Sequence, residues 1–262
     1  MTESKKLITR RGFLKAAAAT STVAVGLHLS RRGAAGERPA GQSEHHWAMV
    51  IDLAKCTGCQ QCTKACQAHN DVPPTIEWNK VVRTGTQNGH PTFLPRPCMH
   101  CEHAPCVDVC PVKATYQRPD GIVMMDYDRC IGCRYCEVAC PYFARAFNWE
   151  TFDGPNPMVP EWGEPDVERR PRGVVEKCTF CFQRIDRGLA GGLTPGVDEE
   201  ATPACVNVCP VGARMFGDLN DPESKVSRAL ESEPSFRLRE DLGTAPRVYY
   251  LPARRDQMEA EA

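Results

Sequence analysis

An α+β fold, built from a duplicated unit of short β-hairpins and helices with long loops, is what this sequence predicts, and three observations carry the prediction. The first is an internal repeat. Met49-Val50-Ile51-Asp52-Leu53-Ala54-Lys55-Cys56 parallels Val123-Met124-Met125-Asp126-Tyr127-Asp128-Arg129-Cys130, and Cys106-Val107-Asp108-Val109-Cys110-Pro111 parallels Cys205-Val206-Asn207-Val208-Cys209-Pro210. The second is the grouping of sixteen cysteines in fours, with groups one and three of one type and groups two and four of another. The third is that the apolar runs are short and strand-like, 46–53 and 121–126 each leading straight into a cysteine group.

The N-terminus comes first in the chain and stands apart from this pattern. Thr9-Arg10-Arg11-Gly12-Phe13-Leu14-Lys15 precedes a weakly apolar run from Ala16 to Leu29, too short to span a bilayer comfortably and laid out like a signal peptide. The paired arginines followed by Phe-Leu-Lys resemble the twin-arginine export signal, with cleavage expected near Ala35 or Ala40. Residues 1–35 are therefore expected to be a removed signal and 36–45 a linker. That export route carries folded proteins, so a cofactor inserted in the reducing cytoplasm is compatible with a periplasmic destination. No run of 18 or more apolar residues follows, so the rest of the chain is not expected to span a membrane.

Charge excludes another class. The 262 residues carry a net charge of −1, but residues 1–35 hold seven Lys or Arg and one acid; without them the balance is 25 basic to 32 acidic residues, or −7. A general nucleic-acid binder would need a basic face. There is also no nucleotide-binding fingerprint, neither G-x-G-x-x-G nor G-x4-G-K-[ST].

The cysteine groups follow in order. Cys56, Cys59, Cys62 and Cys66 are spaced x2, x2, x3, with Gln67 where a proline is usual. A polar connection, 67–90, contains one short strand candidate at Val81-Val82-Arg83. Cys98, Cys101, Cys106 and Cys110 are spaced x2, x4, x3 and precede Pro111. Cys130, Cys133, Cys136 and Cys140 repeat the x2, x2, x3 run and end at Pro141. Residues 151–173 carry five prolines and are expected to form a surface loop rather than a helix. Cys178 and Cys181 are separated by 23 residues, four of them glycine, from Cys205 and Cys209, which precedes Pro210. Beyond the last cysteine, 224–233 reads as helical and 247–251 as a strand, packing over the cluster domain as core without chemistry.

The compact C-x2-C-x2-C-x3-C-P run is that of bacterial ferredoxins, where three closely spaced thiolates take one iron–sulfur cluster and the fourth reaches another. Structural zinc usually combines two C-x2-C pairs across a longer loop. Disulfides between cysteines two apart on one loop rarely reach bridging geometry. Sixteen thiolates at four per cubane predict four [4Fe–4S] clusters. Gly58 and Gly132, inside the C-x-G-C turns, suit close backbone approach to such a cluster. His100 and His103 would be Rieske ligands only if cysteines were lacking, and four are present; hydrogen bonding near the cluster or partner contact is expected instead. Lys55, Arg129, Arg134 and Lys177 adjoin ligands and could raise potentials or be plain surface charge. Trp47 and Trp149 are expected in the core rather than as electron conduits.

The chain over 46–251 resembles the four-cluster ferredoxin-type subunits of DMSO-reductase-superfamily complexes, such as polysulfide, tetrathionate and arsenate reductases. The segment Arg170-Pro171-Arg172-Gly173-Val174-Val175-Glu176-Lys177-Cys178-Thr179-Phe180-Cys181 and the tail Phe216–Pro222 also resemble the periplasmic iron–sulfur subunit of the Dsr-type, Hdr-like menaquinol complex. The resemblance implies bacterial dicluster-ferredoxin-like units over 46–220, with 151–173 as an insertion and 221–262 as a C-terminal extension. It implies pairing of groups one with four and two with three: Cys56, Cys59, Cys62 and Cys209; Cys178, Cys181, Cys205 and Cys66; Cys98, Cys101, Cys106 and Cys140; Cys130, Cys133, Cys136 and Cys110. It also implies a non-catalytic electron-transfer subunit, periplasmic and peripherally attached to the membrane. The implied partners are an integral-membrane quinone-interacting subunit and either a molybdopterin catalytic subunit or Hdr-like and cytochrome redox subunits. The rival readings are a zinc-bound structural or interaction module and an iron–sulfur enzyme with its own substrate site; the latter would need a cluster lacking a protein ligand, and all sixteen ligands are accounted for.

Overall fold

The run Trp-Ala-Met-Val-Ile-Asp is apolar at five of six positions, as a strand buried on both faces must be. In the computed structural model, which describes residues 43–253 apart from Asn88, this run is strand β1 (Trp47–Asp52), buried along its whole length. The twin-arginine segment and the last residues of the expected C-terminal extension lie outside the described residues. Helix α1 (Gln61–His69) follows, then the hairpin of β2 (Lys80–Gln87) and β3 (His90–Arg96). The second cysteine group has Cys106 on α2 (Pro105–Asp108) and leads to the hairpin β4 (Thr115–Gln117) and β5 (Val123–Met125). The third has Cys136 on α3 (Tyr135–Val138), before β6 (Arg145–Phe147), which pairs antiparallel with β7 (Val175–Lys177). Helices α4 (Phe182–Ala190) and α5 (Ala204–Asn207) flank the fourth group, and β8 (Arg214–Asp218), α6 (Lys225–Ser232) and β9 (Val248–Leu251) complete the chain. Short helices and several small sheets make this an α+β protein. No helix of the described residues is long and apolar enough to cross a membrane.

The burial of β1 has a simple cause: it is the central strand of the sheet β8-β1-β9, antiparallel to β8 and parallel to β9. Ser224 caps α6, its hydroxyl accepting from the Ser227 N–H at 3.2 Å, and α6 buries Val226 with Val50 and Leu251. The last segment of the described chain is thus stitched to the first.

Three local outcomes differ from the sequence reading. The 67–90 connection holds an eight-residue strand, β2, whose partner β3 contains Pro91 and Pro95. Proline argues against a central strand, but a two-stranded ribbon leaves each strand an edge where a missing N–H is harmless. Helix α4 occupies part of the glycine-containing gap; Phe182, Ile185 and Leu189 form its apolar face. Trp149 is 60% exposed rather than core, with the Arg134 guanidinium 4.6 Å over its ring, whereas Trp47 is buried.

The 151–173 segment has neither helix nor strand, yet it is tied down. Buried Asn156 donates to the carbonyls of Gln67 and Val72, and the Arg169 guanidinium pairs with Asp71. Arg170, 6% exposed, pairs with the fully buried Glu176 at 3.3 Å, and Glu176 also accepts from Trp78 Nε1 (3.1 Å) and Asn148 Nδ2 (2.8 Å). Removing one partner of a buried pair leaves the other charge uncompensated. Glu176→Leu is therefore expected to destabilise the protein by about 3–5 kcal/mol, read as a lowered thermal midpoint; an unchanged midpoint would show the pair to be structurally idle.

Candidate metal centres: four cysteine quartets

Each cysteine group is short helix plus turn because the backbone must reverse between ligands. Gln60 and Arg134, at the same place in groups one and three, both adopt left-handed φ (61° and 63°) and cap α1 and α3. His100 and Phe180 do the same inside groups two and four, with φ of 44° and 56°. Their rings stack on one another with centroids 3.8 Å apart. Helices α2, α3 and α5 are only four residues long, each ending just ahead of a Cys-Pro pair, where proline would clash and lacks its N–H. Where Gln67 replaces proline, α1 runs on through Cys66 to His69, and the Gln67 side chain donates to the Ile76 carbonyl at 2.9 Å.

The folded chain brings the cysteines together across groups. One cleft is lined by Cys56, Cys59, Cys62 and Cys209. A second is lined by Cys110, Cys130, Cys133 and Cys136. Cys66 lies in electrostatic reach of Cys178, Cys181, Cys205 and Cys62, and Cys101 in reach of Cys98, Cys106 and Cys140. Among the described residues no three Cys, His, Asp or Glu side chains converge on one point suited to a single metal ion. Zinc would need four donors about 2.0–2.3 Å from a common centre.

The quartets also form a row. Cys62 lies in electrostatic reach of Cys66 and Cys205, Cys178 of Cys98, and Cys106 of Cys136. The order is therefore Cys56/59/62/209, then Cys66/178/181/205, then Cys98/101/106/140, then Cys110/130/133/136. All eight inner cysteines are buried, while the outer quartets include the only two exposed ones, Cys59 and Cys133. The fourth quartet's surroundings expose Ile131, Tyr135, Val138 and Phe143 as well, more apolar surface than scattered single residues would explain.

The donor set suits thiolate-rich clusters. Main-chain N–H groups point at sulfur: Thr115 to Cys110 (3.4 Å), Ala213 to Cys209 (3.2 Å) and Phe180 to Cys178 (3.5 Å). Asn70 Nδ2 reaches Cys181 at 3.5 Å and Cys66 at 3.8 Å. Burial raises the Cys110 thiol, yet the N–H groups of Thr115, Ala114 and Val112 outweigh it and hold its pKa below the usual value. Deeper in, burial pushes Cys178 and Cys101 up to about 12, with neighbouring Cys98 adding to each. Sulfurs in these places become thiolates only when cations, which cluster iron supplies, share the site.

The remaining sequence candidates separate cleanly. His100 is fully buried, and its Nδ1 accepts from the Val123 N–H at 3.0 Å. Burial first, then Lys177, Arg247 and Arg145, favour its neutral form, and its Nε2 has no hydrogen-bond partner among the described residues. His103 is exposed. Lys55 and Arg129 are more than half exposed and Arg134 partly so, and they pair with Asp52, Asp126 and Glu137. Lys177 is fully buried. Arg145 and Arg214, which the sequence reading did not single out, are buried beside sulfur: Arg214 Nη1 lies 3.8 Å from Cys205 Sγ, and Arg145 Nη1 lies 3.1 Å from Met125 Sδ.

Comparison with known proteins points to iron–sulfur domains along the chain. Family models match residues 47–68 as a 4Fe-4S binding domain, and 90–153 and 129–213 as 4Fe-4S dicluster domains. The chain is 46% identical over 237 residues to the menaquinone reductase iron–sulfur cluster-binding subunit of Nitratidesulfovibrio vulgaris, covering 79% of this chain and 89% of that protein. It is 44% identical to a selenate reductase subunit of Mesobacillus selenatarsenatis, covering 80% and 73%, and 40% identical to a tetrathionate reductase subunit of Salmonella typhimurium, covering 82% and 76%.

Proposed function

Since the chain belongs to the family of [4Fe–4S] iron–sulfur subunits that includes menaquinone reductase, selenate reductase and tetrathionate reductase subunits, we propose that it is the electron relay between a quinone-linked membrane subunit and a redox partner. It carries four [4Fe–4S] clusters and transfers electrons through them. When bound, such clusters supply one-electron oxidation and reduction, with potentials set by charge, hydrogen bonds and exposure. The observation that carries the proposal is the row of quartets, inner ones buried and outer ones reaching the surface.

In this reading Cys56, Cys59, Cys62 and Cys209 hold one outer cluster, and Cys130, Cys133, Cys136 and Cys110 the other. Cys178, Cys181, Cys205 and Cys66 hold one inner cluster, and Cys98, Cys101, Cys106 and Cys140 its neighbour. The repeated left-handed positions and Cys-Pro turns support two related dicluster units within 46–220, with 221–262 an extension upon them. The inner cysteines exclude water, the N–H donors stabilise thiolate, and the exposed outer ligands bring the ends of the row within reach of partners.

The menaquinone reductase relative supports a quinone-linked partner, and the selenate and tetrathionate reductase relatives support a catalytic subunit at the other end, of the molybdopterin or the Hdr-like and cytochrome kind. The twin-arginine segment supports a complex on the periplasmic face of the membrane, with this chain exported already folded. The test is elemental analysis of the purified chain: about sixteen irons with matching sulfide are expected. Zinc without sulfide would refute the relay.

A further inference from the structure

Six Lys or Arg side chains are buried among the described residues: Arg145, Arg170, Lys177, Arg184, Arg214 and Arg247. Three of them face a carboxylate: Arg170 meets Glu176 at 3.3 Å, Arg184 meets Asp166 at 3.2 Å, and Arg247 lies 3.8 Å from Glu102. The other three have no carboxylate of the described residues within 4 Å. Among the described residues Lys177 donates only to the carbonyl oxygens of Val123 and Cys178. Arg145 donates to Thr115 Oγ1 at 3.3 Å and contacts Met125 Sδ, and its Nη2 has no partner among the described residues. Arg214 donates to the neutral Asn79 Oδ1 at 2.6 Å and contacts Cys205 and Met49 sulfur.

Burying a cation without an anion is among the most unfavourable arrangements a fold can hold. Here two of them are also set against each other, for Arg145 and Lys177 are directly opposite in the β6–β7 ladder, where like charges repel. Something anionic must face them. What faces them is cysteine, and each cation faces cysteines of two neighbouring quartets. Arg214 lies between the first and second, near Cys62, Cys205 and Cys209. Lys177 lies between the second and third, near Cys178, Cys98 and Cys106. Arg145 lies between the third and fourth, near Cys106, Cys98 and Cys136.

We propose that Arg214, Lys177 and Arg145 are resident counter-charges, one at each of the three junctions of the row, that hold neighbouring clusters together and favour an added electron there. The inference rests on the relay reading above. Thiolate-ligated clusters are net anions whose charge grows on reduction, so two packed side by side repel, and a shared cation offsets the repulsion in a low-dielectric interior. The placement is also built into the repeat: Arg145 and Arg214 each stand five residues after a Cys-Pro cysteine, in Cys140-Pro141-Tyr142-Phe143-Ala144-Arg145 and Cys209-Pro210-Val211-Gly212-Ala213-Arg214.

The test compares neutral variants (Arg145→Gln, Arg214→Gln, Lys177→Met) with charge-keeping ones (Arg145→Lys, Arg214→Lys, Lys177→Arg) in the full chain carrying its clusters. Iron and sulfide content is measured, and each centre is followed by electron paramagnetic resonance during redox titration. At the potential where the wild-type centre is half reduced, each neutral variant is expected to lower the reduced-to-oxidised ratio of an adjoining centre about tenfold, equivalent to about 59 mV for one electron. Charge-keeping variants should stay within about twofold. Loss of iron from the neutral variants alone would equally support the proposal. Neutral and charge-keeping variants that behave alike, whether unshifted or both depleted of iron, would overturn it while leaving the relay intact. A wild-type chain without iron and sulfide would overturn both.

Discussion

Replacing Cys178 with serine is expected to leave about twelve irons per chain instead of about sixteen, and to cut electron transfer from one end of the row to the other by more than about a hundredfold. Cys178 belongs to the second quartet, is 6% exposed, accepts from the Phe180 N–H and lies beside Cys98 of the third. Soft thiolate selects iron–sulfur clusters, and the harder serine oxygen in a buried site has no water to complete the coordination. Loss of an outer-shell partner at a metal site typically costs about 10–100-fold, and a direct ligand within a linear relay should cost more, because tunnelling falls steeply once a stepping stone is missing. Cys133 provides the contrast. It is exposed at the end of the row, where serine or water can fill the vacated position, so Cys133→Ser should alter the spectrum of one centre and spare the other three. Cys178→Ser chains showing four unaltered four-iron centres by paramagnetic resonance would contradict the ligand assignment.

Much of this site was legible in the sequence because its chemistry has a period. Cysteines recur at spacings that only a few cofactors tolerate, and the repeat between 49–56 and 123–130 announces itself without a second sequence. The strand at 46–53 was legible for a different reason, being apolar on both faces, but nothing local said that its neighbours would be β8 and β9 from the far end of the chain. Pairing of that kind depends on long-range packing. The β2–β3 hairpin was hidden by Pro91 and Pro95, whose usual meaning is reversed on an edge strand. Gln67 looked like a departure from a pattern, whereas in the fold it lets α1 continue one turn past Cys66 and be clasped by the 151–173 segment through Asn156. The buried cations were the least visible. An arginine or lysine in a sequence is ordinarily surface, and Lys177 could not be told from Lys55 or Arg129 by its adjacency to a cysteine. For Arg145 and Arg214 the available signal was the twice-repeated Cys-Pro-x-x-Ala-Arg, a charge held in register with the ligands; Lys177 had none.

Gly132→Ala is expected to cost the chain its fourth-quartet cluster, although the substitution adds a single methyl group. Gly132 sits between Cys130 and Cys133 with φ of +68°, a conformation that disfavours any residue with a Cβ by about 1–2 kcal/mol. The larger obstacle is space. A Cβ there would stand 2.3 Å from the carbonyl oxygen of Gly173 and 3.1 Å from the Phe147 ring. Gly173 is backbone just before β7, and the Asn148–Gly173 and Asn148–Val174 hydrogen bonds (2.8 and 2.9 Å) fix it against β6, so it cannot retreat without opening that hairpin. The ligand loop must shift instead, carrying Cys130 and Cys133 away from Cys110 and Cys136. Gly58 tests whether strain alone suffices, since it has the same place in group one and φ of +72°. Its added Cβ would meet the Phe93 ring at 2.4 Å, a side chain on the edge ribbon that can swing aside. Gly58→Ala should therefore keep close to sixteen irons with a modest fall in thermal midpoint, while Gly132→Ala falls to about twelve. Equal iron content in the two variants would mean that the Gly173 carbonyl yields as readily as an aromatic ring, and that the β6–β7 hairpin is not the rigid wall of the outer cluster site.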